Sequence, residues 1–514
     1  MKKTLGIIGL LITVPLLFGC GSSDGYAVED VSNEGGSAFY EIFVGTFCDS
    51  NGDGVGDLNG ITSKLDYLED LGVSYLWLTP IHPSPSYHKY DVEDYYSIDP
   101  SFGTIDDFDN LIAKANEHHI GILMDMVFNH CSSQSPWFTE WCTEMHDGDK
   151  TGEYFNDFSW SRSALDGYSY FSDAGVYVES RFSESMPEFN LDSEHVQTEL
   201  ASIQTFWLNR GVAGFRYDAV LYYYYGDAAK NIAFMKTLVS TCQAVKPDVY
   251  QVAEAWKMDS ATIADYSSTG MHCFNFPTSE NASSGTVGYV GFSSGLKDFR
   301  DVVVATQSSI KAEGGLEPCF FVSNHDQDRW GAYYSGRQNA EAKRKLVASC
   351  YLLTPGTPFM YYGEEIAMRG IRGNESTDAA RRQSMIWGGG ETQCAEPQGF
   401  VYADQVTVGA VEARADGWSL LNHFRKVLSV RNKYNDLFRY GTYEALDLGN
   451  EALGAFRITL GDKSVVLVHY NGASAVTVAV EASSLLEDIN TSQASSSFTD
   501  GVLTIQPFSS VLLG

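Results

Sequence analysis

Three carboxylates in this 514-residue chain stand where an apolar, strand-like run gives way to polar residues: Asp218, Glu254 and Asp326. In Gly214-Phe215-Arg216-Tyr217-Asp218-Ala219 an arginine precedes the aspartate by two positions. Residues two apart on a strand share a face, so Arg216 and Asp218 point the same way. Either charge is costly to bury alone, whereas Arg216 beside it holds Asp218 ionised. An ionised carboxylate fixed at a strand end is what a carboxylate nucleophile requires. An isolated pair of this kind is better explained as a structural ion pair. Three similar strand ends reverse that preference: Asp125-Met126-Val127-Phe128-Asn129-His130, Glu254-Ala255-Trp256 and Asn324-His325-Asp326. Carboxylates, histidines and an arginine at successive strand ends converge on one rim and point to chemistry there.

The elements that must carry these ends alternate. Strand-like runs at 39–46, 75–80, 121–127, 214–218, 250–253, 273–276, 319–322 and 358–362 are separated by amphipathic segments such as 61–71, 105–118 and 342–352. Near-continuous apolar strands between helices indicate a parallel sheet covered on both faces. Eight such units predict an α/β fold, a (β/α)8 TIM barrel, over 38–130 and 191–435. A doubly wound sheet would carry a Gly-rich phosphate turn, and the chain has none. The stretch 131–190 is too long for a connection and reads as an inserted subdomain after strand 3. Beyond the last helix, near 420–435, apolar residues alternate with period two, which predicts a C-terminal antiparallel β-sandwich domain over 436–514.

A net charge of -32 excludes nucleic acid and anionic membrane surfaces as partners, because both would be repelled. Lys2-Lys3 followed by an apolar run from Leu5 to Phe18 is built like a signal peptide, 1–19. Cys20, before Gly21-Ser22-Ser23, resembles a lipoprotein processing site, so an exported protein lipid-anchored to a membrane or the cell surface through Cys20 is expected. An ordinary cleaved signal that contains a cysteine is the alternative. Residues 20–37 are expected to be a flexible tether. The eight further cysteines permit disulfides in an exported protein, with Cys131 and Cys142 the first pair to consider; Cys273 and Cys319 suit small core residues equally well. No cysteine spacing suggests zinc.

The four strand-end stretches resemble the conserved motifs of the α-amylase family, glycoside hydrolase family thirteen, and the resemblance runs from about Phe39 to the C-terminus. It implies that Asp218 is the nucleophile, Glu254 the general acid/base and Asp326 the carboxylate that stabilises the transition state. It implies that Arg216, His130 and His325 bind the sugar at the cleavage point and that this sugar stacks on Tyr90. Met186-Pro187-Glu188-Phe189-Asn190 resembles a further motif, with Glu188 where aspartate is commoner. The physical account agrees, since a retaining glycosidase needs one charged carboxylate and one protonated partner. Crowding by Asp218 and Asp326 would raise the pKa of Glu254 into the range of an acid. Asp125 and Asn129 are expected to hold loops together.

A second motif, Asp49-Ser50-Asn51-Gly52-Asp53-Gly54-Val55-Gly56-Asp57, sets oxygens at alternate positions around a glycine turn. Its ligands would be Asp49, Asn51, Asp53, the Val55 carbonyl and Asp57; Gly60 where an EF-hand has glutamate excludes that motif. The loop resembles one in the oligo-1,6-glucosidase branch, which implies a structural Ca2+, with Mg2+ as an alternative. A solvated Asp/Gly turn is the other explanation. Many α-amylases carry a histidine four residues after the nucleophile for a further calcium; here it is Tyr222, in a run of four tyrosines, and that calcium is not expected.

Ala219 and Trp256 resemble α-1,4-acting members, the oligo-1,6-glucosidase/neopullulanase branch being nearby. Exo-acting members tend to carry aspartate where this chain has Tyr87, so an open cleft and internal cleavage are expected. The resemblance thus implies a retaining endo-acting α-amylase, most simply a monomer, on starch and maltooligosaccharides. An α-glucosidase, a neopullulanase-like hydrolase and a 4-α-glucanotransferase are the alternatives, as is a non-catalytic glycan-binding protein. Surface binding of glucan through Trp137 and Trp141 is a further expectation.

Overall fold

The computed structural model describes residues 25–26, 32–279, 285–292 and 295–514. The signal peptide and Cys20 lie outside the described residues. Seven parallel strands, β1 (Phe39–Ile42), β2 (Tyr75–Leu78), β3 (Gly121–Met126), β7 (Gly214–Tyr217), β8 (Tyr250–Ala253), β9 (His272–Cys273) and β11 (Phe359–Tyr361), form one curled sheet. Their order in it is β11-β1-β2-β3-β7-β8-β9. The first and last of these seven strands along the chain are neighbours, Phe39 pairing with Phe359, so the sheet curls back on itself. The remaining gap is spanned by 319–322. Cys319 N–H donates to the Cys273 carbonyl at 3.1 Å, and Phe359 N–H donates to the Phe320 carbonyl at 2.8 Å. The result is a (β/α)8 barrel. The expected strand at 319–322 is an extended segment with a single bridge, Phe274 to Cys319, because its neighbours β9 and β11 are too short to sustain a ladder.

Strands buried on both faces explain the apolar runs: β1 and β8 bury every residue. The helices bury one face. In Ile105–Glu117 the buried positions Phe108, Leu111, Ile112 and Ala115 recur at helical spacing, and Thr104 with Asp107 forms a capping box at its start. The expected helix 61–71 is two helices, Leu58–Ser63 and Leu65–Leu71, broken at Lys64.

The insertion leaves the barrel after β3. It holds the helix Pro136–Asp147 and a three-stranded antiparallel sheet of β4 (Trp160–Ser161), β5 (Tyr168–Phe171) and β6 (Val176–Glu179). Trp141 is fully buried and Trp137 donates its indole N–H to Asp157 at 2.6 Å. Neither tryptophan is the exposed platform expected of it, because Phe138, Phe158 and Phe189 pack around them. The C-terminal domain begins at Thr442, and its five-stranded and three-stranded sheets enclose a core of Leu453, Val466, Val468, Leu503, Ile505 and Val511. It is a β-sandwich with a core of its own.

Two expectations are corrected here. The tether ends before Ser37: buried Asn33 donates to the carbonyls of Val73 and His118 at 3.0 and 2.9 Å, and Ser37 bonds Asn435. The pair Cys131 and Cys142 forms no disulfide; all eight described cysteines are free and buried. Each serves as a small apolar side chain, and burial pushes the Cys142 thiol up to about 12, far from a reactive thiolate. Among the described residues no helix is long and apolar enough to cross a membrane.

Candidate active site

Strand register assembles the centre. Asp125 on β3 pairs with Arg216 on β7, and Tyr217 pairs with Ala253 on β8, so Asp218 and Glu254 emerge side by side just past the strand ends. The ladder continues one step, with Glu254 N–H donating to the Tyr217 carbonyl at 3.0 Å. Ala219 then turns the chain with φ of 48°, a conformation that costs a residue with a side chain about 1–3 kcal/mol and clusters at functional sites. Its N–H faces Glu254 Oε2 at 3.3 Å.

One buried guanidinium ties three carboxylates together. Arg216 Nη1 lies 2.6 Å from Asp125 Oδ1 and 2.8 Å from Asp218 Oδ1, while Nη2 lies 2.9 Å from Glu254 Oε2. The ring of Trp77 underlies it at 5.1 Å. Burial nevertheless dominates at Glu254: it raises the pKa to about 8, against the pull of Arg216 and with the help of the Asp218 and Asp326 charges. Glu254 Oε1 makes no hydrogen bond. Asp326 goes the opposite way. Although burial pushes it up, His325 and Arg382 hold it well below the usual carboxylate range. His325 Nε2 is 3.1 Å and Arg382 Nη2 is 2.5 Å from its oxygens. His325 in turn is charged, raised to about 10 by Asp326 and Glu41 despite burial.

The residues expected to bind sugar divide into two sets. Tyr90 and His130 line a cavity of about 1110 Å³ together with Asp218, Glu254 and Asp326. Tyr90 lies parallel to the His325 ring, with centroids 5.4 Å apart, and bonds Asp125 and His325 through its hydroxyl. Burial lowers the pKa of His130, which keeps it neutral, and its Nε2 is 3.2 Å from the Tyr90 carbonyl. Arg216 and His325 are completely buried and lie beneath the floor. There Arg216 holds Asp218 and Glu254, and His325 holds Asp326. Asp125 belongs with them rather than with the loops, since it bonds Arg216, Trp77 and Tyr90 at the centre of the site.

Sequence reasoning missed Arg382 and Asp378, which line the cavity, and Glu41 beneath it. No strand-end pattern marks Arg382; the only signal is an arginine pair, Arg381-Arg382. It also missed Phe182, which meets Tyr222 at 4.6 Å on the cavity wall, with Tyr225 stacked on Tyr222 and capped by Arg181. Tyr87 does not line the cavity: its hydroxyl accepts from Arg382 at 3.1 Å.

The catalytic-domain model of the α-amylase family matches residues 41–441. The chain belongs to the α-amylase family. As a family member it is a glycoside hydrolase. Over 479 residues it is 36% identical to alpha-amylase 3 of Dictyoglomus thermophilum, covering 91% of this chain and 90% of that one. The solved structure of Eubacterium rectale Amy13B superposes with a TM-score of 0.87 at 34% identity, covering 94% and 96% of the two chains. Glucan 1,6-alpha-glucosidase of Streptococcus pneumoniae is 27% identical, over 84% and 89% of the chains.

The loop for which the family resemblance implies a metal has the form of a hard-cation loop. Asp49 accepts backbone N–H bonds from Asn51, Gly52 and Gly54 at 3.0, 2.7 and 2.8 Å. Asn51 accepts from Asp53 N–H and Asp53 from Val55 N–H, while Asp57 caps the helix Leu58–Ser63. Gly52 and Gly54 sit at φ of 83° and 92°, where a side chain would be strained. Burial raises Asp49, but the loop N–H groups outweigh it and hold the carboxyl below its usual value. An all-oxygen set with its first carboxylate kept ionised fits Ca2+.

Proposed function

We propose that the protein is a retaining, endo-acting α-amylase that hydrolyses the α-1,4 bonds of starch and maltooligosaccharides. The observation that carries this reading is the sharing of Arg216 by Asp218 and Glu254. Carboxyl groups on adjacent nitrogens of one guanidinium are close, as in retaining enzymes at about 5–5.5 Å, rather than separated by a water as in inverting ones. Glu254, with its high pKa and free Oε1, donates a proton to the glycosidic oxygen as Asp218 attacks the anomeric carbon. The leaving glucan departs and an ester to Asp218 remains. Glu254, now a carboxylate, takes a proton from water, whose oxygen attacks the same carbon and frees Asp218. Asp326, kept ionised, stabilises the cationic transition state. Trp256, exposed and stacked on Phe276, together with Phe182 and Tyr225, offers apolar faces to the departing chain.

An exo-acting α-glucosidase is the second reading. It is favoured by the relatives named glucan 1,6-alpha-glucosidase and oligo-1,6-glucosidase, which the chain resembles over most of its length. The product profile from soluble starch and maltoheptaose, with Asp218→Asn as control, separates the two. Short maltooligosaccharides with a rapid fall in viscosity support the amylase. Glucose alone with viscosity unchanged supports the glucosidase. No product from the wild type, with the control indistinguishable from it, supports a binding protein.

We propose as well that Asp49, Asn51, Asp53, the Val55 carbonyl and Asp57 hold a structural Ca2+, and that Cys20 carries a lipid after export. The second of these is tested by Cys20→Ser, which should move the protein from the membrane fraction to the medium.

A further inference from the structure

The inserted domain carries a second cavity, of about 960 Å³, between the helix Pro136–Asp147 and the β5–β6 hairpin. Its aromatic side is Tyr170 with Phe171 and Phe138. Tyr170 is 52% exposed and leans on Tyr177, with centroids 5.1 Å apart. Tyr177 is its cross-strand partner, and this pairing holds the Tyr170 ring in place at the cavity mouth while leaving it open to solvent. Among these rings the lining presents hydroxyls from Thr139, Thr143 and Ser172 and carboxylates from Asp147, Asp173 and Glu184. Neither lysine nor arginine lines it, and His146 is its one basic side chain. A phosphorylated or acidic ligand would therefore meet three carboxylates with no fixed cation. An uncharged polyol suits the lining, because its hydroxyls donate to the carboxylates while its C–H faces lie on the rings.

The cavity also shares a wall with the catalytic one. Ser183 and Ser185 line both. They belong to a turn closed by Met186 N–H donating to the Ser183 carbonyl at 2.9 Å, and Ser133 N–H holds the Ser185 carbonyl at 2.8 Å. A chain too long for the catalytic cavity thus has only this turn to cross before it meets the second one.

We propose that this cavity is a second binding groove for α-glucan chains, with Tyr170 as its stacking platform. The inference rests on the amylase reading for the identity of the sugar. The test uses the full protein carrying Asp218→Asn, with depletion onto insoluble amylose, and the same groove variants in the active enzyme assayed on maltotriose. Tyr170→Ala should weaken amylose binding about tenfold, the loss of one stacking contact. Thr143→Arg, at an exposed helix position that fills the groove, should do the same. Both should leave kcat/KM on maltotriose within about twofold of the parent. Amylose binding unchanged in both variants overturns the proposal. Binding that requires added divalent cation and is lost in Asp173→Asn, with Tyr170→Ala silent, also overturns it in favour of a cation site. Failure of the parent enzyme on maltotriose and starch alike is a different result, since it removes the amylase reading itself.

Discussion

Arg216 Nη2 lies 2.9 Å from Glu254 Oε2, yet Glu254 holds its proton up to about pH 8. A cation at that distance normally strips a carboxyl of its proton. Here burial and two neighbouring carboxylates outweigh it, so one guanidinium serves a charged nucleophile and a protonated acid together.

The alkaline limb of kcat/KM should therefore fall near pH 8, where Glu254 loses its proton. Stability should follow the same group. Folded Glu254 titrates near 8 against an ordinary 4.5, so the native state holds a proton that the unfolded chain has lost between those values. Its contribution is full below pH 4.5 and is lost as pH rises to about 8. Thermal melts of Glu254→Gln and wild type should diverge in favour of the variant between pH 5 and 9. A constant difference across that range would refute the linkage.

Arg216→Met leaves three carboxylates around an apolar side chain. Breaking such a buried arrangement costs about 3–5 kcal/mol, which denaturant titration would read as a lowered midpoint. With the cation gone, Glu254 should titrate higher still. The surviving activity should then fall by at least about a hundredfold with its alkaline limb displaced upward.

Arg382→Gln tests a residue that no strand-end motif marks. Arg382 holds Asp326, the Tyr87 hydroxyl and the His325 carbonyl. Loss of a fixed charge at a transition-state carboxylate should cost about 10²–10³ in kcat. If KM alone rises while kcat is kept, Arg382 only binds substrate.

Removal of divalent cation with a chelator should lower Tm, and added Ca2+ should restore it. At a hundred times its Kd, a ligand specific for the native state contributes about 2.7 kcal/mol. Asp53→Ala should abolish the response while activity at 25 °C persists. An identical Tm with and without chelator would show that the loop is only a turn.

Much of the site was legible because its signals are local. Arg216 and Asp218 share a strand face, and the apolar runs that lead to Asp125, Asp218 and Glu254 mark strand ends in the sequence alone. The oxygen spacing from Asp49 to Asp57 is local in the same sense. The short bridge at Cys319 was not legible, since an extended segment becomes a strand only if its neighbours are long enough to pair with it.

The sequence by itself determined the barrel, the family and the carboxylates, since periodicity and motif spacing are properties of consecutive residues. Only tertiary structure decided which charged groups reach solvent. Arg216 and His325 carry sugar-binding motifs and yet lie under the floor, Asp125, expected to hold loops together, bonds Arg216 at the centre, and Arg382 arrives from 56 residues beyond Asp326. Exposed-looking Trp141 is core, while Tyr170 stands at the mouth of a groove. Burial and the long-range meeting of side chains set pKa values and accessibility, and neither exists until distant segments pack together.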